Sequence, residues 1–484
     1  MRKMWINSRE VSSAQPPRTA LDPATEESID EVTWGGKREA EEAVTAAKAA
    51  FPAWRNTPAS ERAAMLHEVA RRMRQNLEHL AIELTLETGR SIRKNRGYVE
   101  WSAQCFDYYA EIGRHYRGRL IPSPEASQLS IVLKVPIGVI AAIVPWNYPL
   151  LLLTWKIAPA LAAGNTVIIK PATYTSWVTL GFVRYFEHFP PGVINIVTGS
   201  GSEVGDYLVT HPDVRMIAFT GSTEVGQHIM RQAAAEMKHI HLELGGKDAL
   251  IVCADADLEA ASRAAVWGGF LNAGQVCTSV ERVYVEHEVY PTLLERIVDL
   301  TRQLVIGPGI DPESEVTPMI RPEEREKVDY QVKMAEKAGA RILTGGSVPP
   351  DMHKGFYYAP TVLTEVDDHM LVMQEETFGP VLPVVPVRDF AEAMERANRS
   401  PYGLGATLFT TEARKVKRYM EDIEAGNVWV NDPLIDNLAG PFGGMKRSGI
   451  GRELGIEGFE EFLETKHVHW EIEGGIKGWW YPWD

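Results

Sequence analysis

A thiol and a carboxylate carry the chemistry that this sequence suggests. Cys277 ends the run Gly268-Gly269-Phe270-Leu271-Asn272-Ala273-Gly274-Gln275-Val276 and is followed by Thr278 and Ser279. A thiol packed as a core hydrophobe more often has branched aliphatic residues on both sides. A nucleophilic thiol needs room for substrate and backbone N–H groups free to hold a negative oxygen. A buried structural cysteine is the alternative, since free Cys is among the most buried residue types. Thirty-four residues upstream, Glu243 closes the apolar alternation His241-Leu242-Glu243-Leu244, just before the turn Gly245-Gly246-Lys247. That placement suits a base for water. A second acidic pair, Glu375-Glu376, reads as a metal or acid/base pair in principle, but no His or third acid keeps ligand spacing nearby, so no metal site is expected.

These residues need a scaffold, and the periodicity supplies one. Residues 1–35 read as short strands and turns. Helices are expected over 37–51, over 60–88 with an N-cap at Ser60 and a stop at Gly89, and over 92–116. Residues 119–122 and 129–135 read as a β-hairpin. From Gly138 the period changes: strands at 139–144, 166–170, 193–197 and 216–220 alternate with helices at 150–161, 176–188, 204–209 and 225–234. Such alternation implies a parallel sheet covered by helices on both faces, the usual nucleotide-binding architecture. A second α/β body begins after Gly246, with Asn427–Asn431 as a buried strand and Lys466–Trp470 as the last one. Cys105 and Cys253 read as core residues.

Two glycine-bearing turns sit at strand ends. Gly199 to Gly205, with Gly201 and Gly205 inside it, is one residue off the Rossmann fingerprint. Phe219-Thr220-Gly221-Ser222-Thr223-Glu224-Val225-Gly226 ends a strand and opens a helix at a Gly-Ser step, leaving N–H groups and a hydroxyl for a pyrophosphate. A plain Ser N-cap with a turn glycine is the competing reading.

Composition limits the partners. A chain of 484 residues needs two or three domains, and 45 % hydrophobic with 24 % charged residues is ordinary globular composition. A net charge of −15 disfavours nucleic acid or an acidic membrane as partner. Three cysteines imply no disulfide framework, and no apolar leader is present at the N-terminus, so a cytoplasmic setting is expected. The uncharged run 135–155 is long enough to span a bilayer but is interrupted by Pro136, Pro145, Asn147 and Pro149, so strand, turn and helix is the better parse.

The ordered pair Glu243-Leu244-Gly245-Gly246-Lys247 and Gly274-Gln275-Val276-Cys277 resembles the aldehyde dehydrogenase superfamily, and the likeness runs over nearly the whole chain. It implies an α/β fold with a Rossmann-like cofactor-binding domain (1–118 and 136–244), an α/β catalytic domain (245–454) and a small β oligomerisation element (119–135 and 455–484). In the family the hairpin joins the C-terminal strand in subunit contacts, so a homodimer or homotetramer is expected. The resemblance also makes Asn147, in the turn Pro145-Trp146-Asn147-Tyr148-Pro149, an oxyanion donor, with Pro145 and Trp146 on the cofactor side. Tyr148 and Trp155 would line a substrate tunnel with Phe442, while Val276 and Thr278 flank the nucleophile. Lys170 and Thr173 should face the adenine-side ribose, and Glu376 and Phe378 the nicotinamide ribose. Lys156 and Glu453 become candidate proton-relay partners of Glu243. Many NAD-preferring relatives carry Glu at the position of Thr173, so NAD with NADP also accepted is the cofactor expectation.

The reaction so implied is oxidation of a small-molecule aldehyde to the acid through a cysteine thiohemiacetal and a thioester. Glu243 speaks against a CoA-acylating relative, and retention of Cys277, Glu243, Asn147 and Lys170 against a non-catalytic scaffold. Tyr148, Trp155 and Phe442 suit aliphatic, aromatic or quaternary-ammonium aldehydes, and Asp436 near the channel keeps amino and betaine aldehydes in view. The tail Gly474 to Asp484 is rich in Trp and Tyr, as an interface anchor would be, and covers either a neighbouring protomer or its own subunit.

Overall fold

Val139–Ile143 and Thr166–Lys170 are buried along their whole length, as strands covered on both faces must be. A computed structural model, which describes residues 1–482, places them at the centre of an eight-stranded sheet. Its parallel core runs Ile194–Ile196, Thr166–Lys170, Val139–Ile143, Val214–Thr220, His239–Glu243. The chain order reverses between Val139–Ile143 and Val214–Thr220. Crevices at such reversals, outside the carboxyl ends of the strands, are where parallel sheets bind ligands.

A second, seven-stranded sheet is ordered Arg341–Thr344, Thr361–Thr364, Val381–Val387, Val280–Glu286, Asp248–Val252, Gly405–Phe409, Asn427–Val430. Only its first pair is antiparallel. Gly245, Cys277 and Phe378 each lie just before a strand of this sheet, whereas Pro145, Lys170, Gly221 and Glu243 end or follow strands of the first. The functional residues therefore gather where carboxyl ends of one sheet meet amino ends of the other. The third sheet is antiparallel: Arg119–Ile121 pairs with Gln128–Pro136, which pairs over nine positions with Leu463–Glu471.

Several expectations need correction. The helix expected over 60–88 is two, Ala59–Gln75 and Leu77–Thr88. They break at Asn76, whose side-chain amide bonds the Arg72 carbonyl and competes with the backbone ladder. Ser60 lies inside the first helix, which starts after Pro58, while Gly89 does end the second in a left-handed conformation (φ 72°). Asn427–Val430 is an edge strand rather than a buried one, with Val428 38 % exposed. Residues 176–188 are helical only over Ser176–Gly181 and Phe182–Tyr185, and Gly201–Gly205 is a wide helical turn before Asp206–Thr210. The C-terminal strand pairs with the hairpin of its own chain. Residues 474–482 run on from it, pinned by Lys477 to Glu125 and Glu471; the rest of the tail, Trp483 and Asp484, lies outside the described residues.

The uncharged run from Val135 resolves into the strand Val139–Ile143, a turn and the helix Leu151–Ala163. Among the described residues no helix is long and apolar enough to cross a membrane. Cys105 and Cys253 are fully buried core residues.

Candidate active site

The helix Leu258–Phe270, capped by the Asp257 carboxylate, delivers the loop that carries Cys277. Asn272 and Ala273 follow with φ 53° each, and Gly274 with φ 72°. Two successive non-glycine residues in the left-handed region store strain of roughly 1–3 kcal/mol each, which only surrounding contacts can hold. The contacts are specific. A Cβ on Gly274 would stand 2.1 Å from the Gly379 carbonyl oxygen, so only glycine lets this loop lie against the Phe378-Gly379 segment. The Gln275 side chain donates to the carbonyls of Asn272 and Pro318 and accepts from the Ile320 N–H. Cys277 then opens onto a cavity walled by Tyr148, Trp155, Val276, Thr278 and Phe442.

Asn147 leaves the Val139–Ile143 strand end and comes to the same place. Its Nδ2 donates to the Gln275 carbonyl at 3.1 Å, leaving the second amide N–H free. Arg90 holds this turn from behind: its guanidinium donates to the Asn147 carbonyl at 3.0 Å and lies 3.8 Å over the Tyr148 ring and 4.4 Å over Tyr98. Trp155 packs edge-on against Trp101 and Phe442. Phe442 forms a backbone bridge with Glu453, which ties the cavity wall to the buried polar cluster behind it.

That cluster contains Glu243, Lys156 and Glu453. Glu243 is fully buried at the end of its strand, and neither of its carboxyl oxygens has a hydrogen-bond partner among the described residues. Lys156 Nζ donates to Glu453 and, at 2.5 Å, to Thr220. Burial, then the neighbouring Glu453, raises the Glu243 carboxyl well above the usual carboxylate range, against the pull of Lys156 and Arg452. Burial likewise raises Glu453, opposed by Lys156. The Cys277 thiol is pushed up by burial first and then by Glu243, Asp248, Asp436 and Glu376, so at neutral pH it holds its proton. Both shifts favour the protonated form of the group.

The glycine turns and the second acidic motif frame the rest of the crevice. Lys170 is buried with an ammonium whose hydrogen-bond partner is the Pro171 carbonyl at 3.3 Å, and burial lowers it to about 8. Gly205 packs on its side chain, and Thr173 begins the next turn. A buried cation facing no carboxylate fits a ribose or phosphate. Gly201 has open space around it. Gly221 turns tightly over Phe219, and Ser222 caps the helix Thr223–Ala233 by accepting from the Val225 N–H, as the N-cap reading has it. A Cβ on Gly226 would meet Leu244 at 2.4 Å, so glycine there lets the helix pack closely on the strand end. Pro145 and Trp146 border the crevice, with Trp146 edge-on to Phe378 at 5.4 Å. Glu376 accepts from the Gly246 N–H at 3.1 Å and is raised to about 7 by burial and Glu281. Among the described residues no group of three or more His, Cys, Asp or Glu side chains converges as a metal site would.

Sequence reasoning missed the residues that hold these groups. Glu281 accepts the Thr377 and Phe378 N–H groups and pairs with buried Lys247, fixing the loop that carries Glu376. Gln275 and Arg90 do the same for Cys277 and Asn147. Their partners lie far away in sequence, so no local pattern marks them.

Residues 11–468 match the aldehyde dehydrogenase family. The chain is 38 % identical to betaine aldehyde dehydrogenase of Bacillus subtilis over 98 % of its length and 97 % of the relative's. It is 40 % identical to retinaldehyde dehydrogenase 3 of Mus musculus, covering 97 % and 93 % of the two chains. Its fold is similar to the crystal structure of betaine aldehyde dehydrogenase from Staphylococcus aureus in complex with NAD+, at a TM-score of 0.97 and 36 % identity over 99 % and 96 % of the chains. With the family match running almost end to end, this chain belongs to the aldehyde dehydrogenase family, and it is an oxidoreductase that oxidises aldehydes.

Proposed function

We propose that the chain oxidises its aldehyde through Cys277, in the cavity between the two large sheets. The observation that carries this reading is the hydrogen bond from the Asn147 amide to the Gln275 carbonyl, two residues before Cys277 in the loop that delivers the thiol to its cavity. The Cys277 thiol gives up its proton to water, the sulfur adds to the aldehyde carbon, and the carbonyl oxygen becomes an oxyanion held by the second Asn147 amide N–H and the Cys277 backbone N–H. One such donor is worth ~3–4 kcal/mol. A nicotinamide dinucleotide, when bound, accepts the hydride that leaves this carbon. The thiohemiacetal thereby becomes a thioester on Cys277. Glu243 takes a proton from water, the hydroxide oxygen bonds the acyl carbon, the C–S bond breaks and the acid departs. Lys156 and Glu453 pass the proton onward from Glu243.

The crevice chemistry supports the following place for the cofactor. Lys170 and Thr173 take the adenine-side ribose, Gly201, Gly205, Gly221 and Ser222 border the phosphates, and Glu376 and Phe378 hold the nicotinamide ribose. Pro145 and Trp146 floor the ring side. NAD and NADP are both accepted, since Thr173 puts no charge against a 2′-phosphate. We divide the chain as 1–118 with 136–244, 245–454, and 119–135 with 455–484, noting that Gly449–Ile450 adds an edge strand to the first sheet. A homo-oligomer built on the three-stranded sheet, working in a reducing, cytoplasmic setting, completes the reading.

The test is turnover of a generic aldehyde, followed by absorbance of the reduced nicotinamide with no CoA present. Cys277→Ala abolishes it while Cys105→Ala and Cys253→Ala retain most of it. Comparable turnover in Cys277→Ala would sink the mechanism.

A further inference from the structure

Among the described residues Asp436 is the one acidic side chain on the wall of the cavity that holds Cys277, and its other neighbours there, the thiol and Thr278 apart, are rings and aliphatic groups. Its carboxyl makes no hydrogen bond or ion pair among the described residues. Asp436 is half-buried, and its partial removal from water raises it to about 7, with no cation among the described residues offsetting the effect. An acid in such a place costs stability unless something compensates it. Tyr98, Trp101, Tyr148, Trp155 and Trp267 line the same cavity, and aromatic faces attract cations through their quadrupole. A carboxylate without a partner, enclosed by rings, is complementary to a positively charged nitrogen.

We propose that Asp436 determines specificity by pairing with an ammonium group carried on the aldehyde at the end away from the carbonyl. This rests on the reading of the cavity as the aldehyde site. The Asp436 charge also reaches Cys277 and helps hold its thiol protonated, so a cation neutralising Asp436 would ease the nucleophile's ionisation as it binds.

One feature opposes the proposal. A larger cavity shares Trp267 and Leu271 with this one and is lined by Arg90, Arg93, Lys94 and Arg263. Such a vestibule attracts a carboxylate-bearing aldehyde instead. Three of the four are already engaged. Arg90 lies on the Tyr148 and Tyr98 rings, Arg263 pairs with Glu259, and Lys94 stands 5.6 Å over the Trp267 ring. Asp436 shares the cavity with the reacting thiol, so its charge acts on the bound aldehyde more directly.

The experiment compares betaine aldehyde, whose trimethylammonium charge does not titrate, with its neutral isostere in which carbon replaces nitrogen, and with a carboxylate-bearing aldehyde of similar length. The wild type should favour betaine aldehyde in kcat/KM, and Asp436→Asn should lower the ratio of betaine aldehyde to isostere by at least about tenfold, equivalent to ~1.4 kcal/mol, with the loss in KM rather than kcat. The wild-type KM for betaine aldehyde should also fall as pH rises through about 7, where Asp436 ionises, with no matching change for the isostere. The titratable groups sharing this cavity are Cys277, Tyr98 and Tyr148, with Lys94 beyond Trp267. Titration of the thiol shifts both substrates alike, so the difference between them isolates Asp436. Replacing betaine aldehyde by a primary aminoaldehyde tests whether a hydrogen-bonding ammonium is read more strongly than a quaternary one. A wild-type preference for the isostere or the carboxylate, or a ratio that Asp436→Asn leaves in place, overturns the proposal. Failure of every aldehyde to turn over would overturn the reading of the site itself.

Discussion

Glu243 and Cys277 share one electrostatic predicament, because burial and acidic neighbours raise both above their ordinary values. Below its raised value the Glu243 carboxyl keeps its proton and cannot accept one from water; above it, it can. Steady-state turnover should therefore climb with pH on its acid limb, and that limb belongs to the Glu243–Glu453–Lys156 cluster as a unit. In Glu243→Gln the first turnover persists as a burst of reduced cofactor, followed by a slow steady state without the acid limb. Loss of the burst as well would move the residue's essential role to thiol activation. The pH dependence of the burst in that variant then reports Cys277 together with the acids that act on it, Asp436 and Glu376 among them, with Glu243 removed. Across the crevice, Thr173→Glu places a carboxylate near Lys170 and should raise the KM for NADP far more than for NAD. Equal effects on the two, or no NADP activity in the wild type, would refute that assignment. The proposed reacting groups could be singled out from the sequence because each sits in a short motif next to a strand. The groups that hold them were not, since Gln275 meets Pro318 and Ile320, and Arg90 meets the Asn147 carbonyl, only after folding.

The element that decides the geometry is the turn Leu271–Gly274 between the helix and Cys277. Its left-handed residues aim the following Gln275 carbonyl at both the Asn147 and Asn272 amides. Gly274→Ala adds a Cβ into the Gly379 carbonyl and strains a positive φ, and should cost ~2–4 kcal/mol. A nucleophile displaced by about 1 Å loses on the order of a hundredfold in rate, so activity should fall even where the fold survives. The contrasting change is Gly97→Ala, in the exposed face of the helix Ile92–His115, where an added Cβ meets nothing within 4 Å; about 0.5–1 kcal/mol of stabilisation is expected there. Thermal denaturation of the two variants checks both signs, and a neutral Gly274→Ala would remove the argument. Element boundaries were less legible than the motifs. Apolar spacing continues across Asn76, with Met73 and Leu80 both buried, so a pattern of apolar residues reads one helix where a side-chain amide ends the first.

At the scale of the molecule, the two large sheets were legible as alternating strands and helices, but the surface that the three-stranded sheet presents was not. The sheet built from Arg119–Ile121, Gln128–Pro136 and Leu463–Glu471 leaves Leu120, Leu133 and Trp470 exposed. The tail continues this surface: Lys477 anchors it to Glu125 and Glu471 of the same chain, while Trp479 is 62 % and Tyr481 81 % exposed. The tail thus folds back over its own hairpin without burying its rings, which favours a second chain as their cover. Aromatic groups exposed at this density, continuous with apolar strand residues, are the composition of an interface core. Deleting residues 475–484 removes the rings and the Lys477 anchor but leaves the nine-position pairing of the terminal strand intact. The truncated protein should stay folded, sediment as a smaller or more readily dissociating species, and show a greater change in KM for bulky aldehydes than for small ones if the tail also borders a neighbour's tunnel. Unchanged sedimentation together with unchanged KM across an aldehyde series would mean that the tail is neither an interface nor a gate.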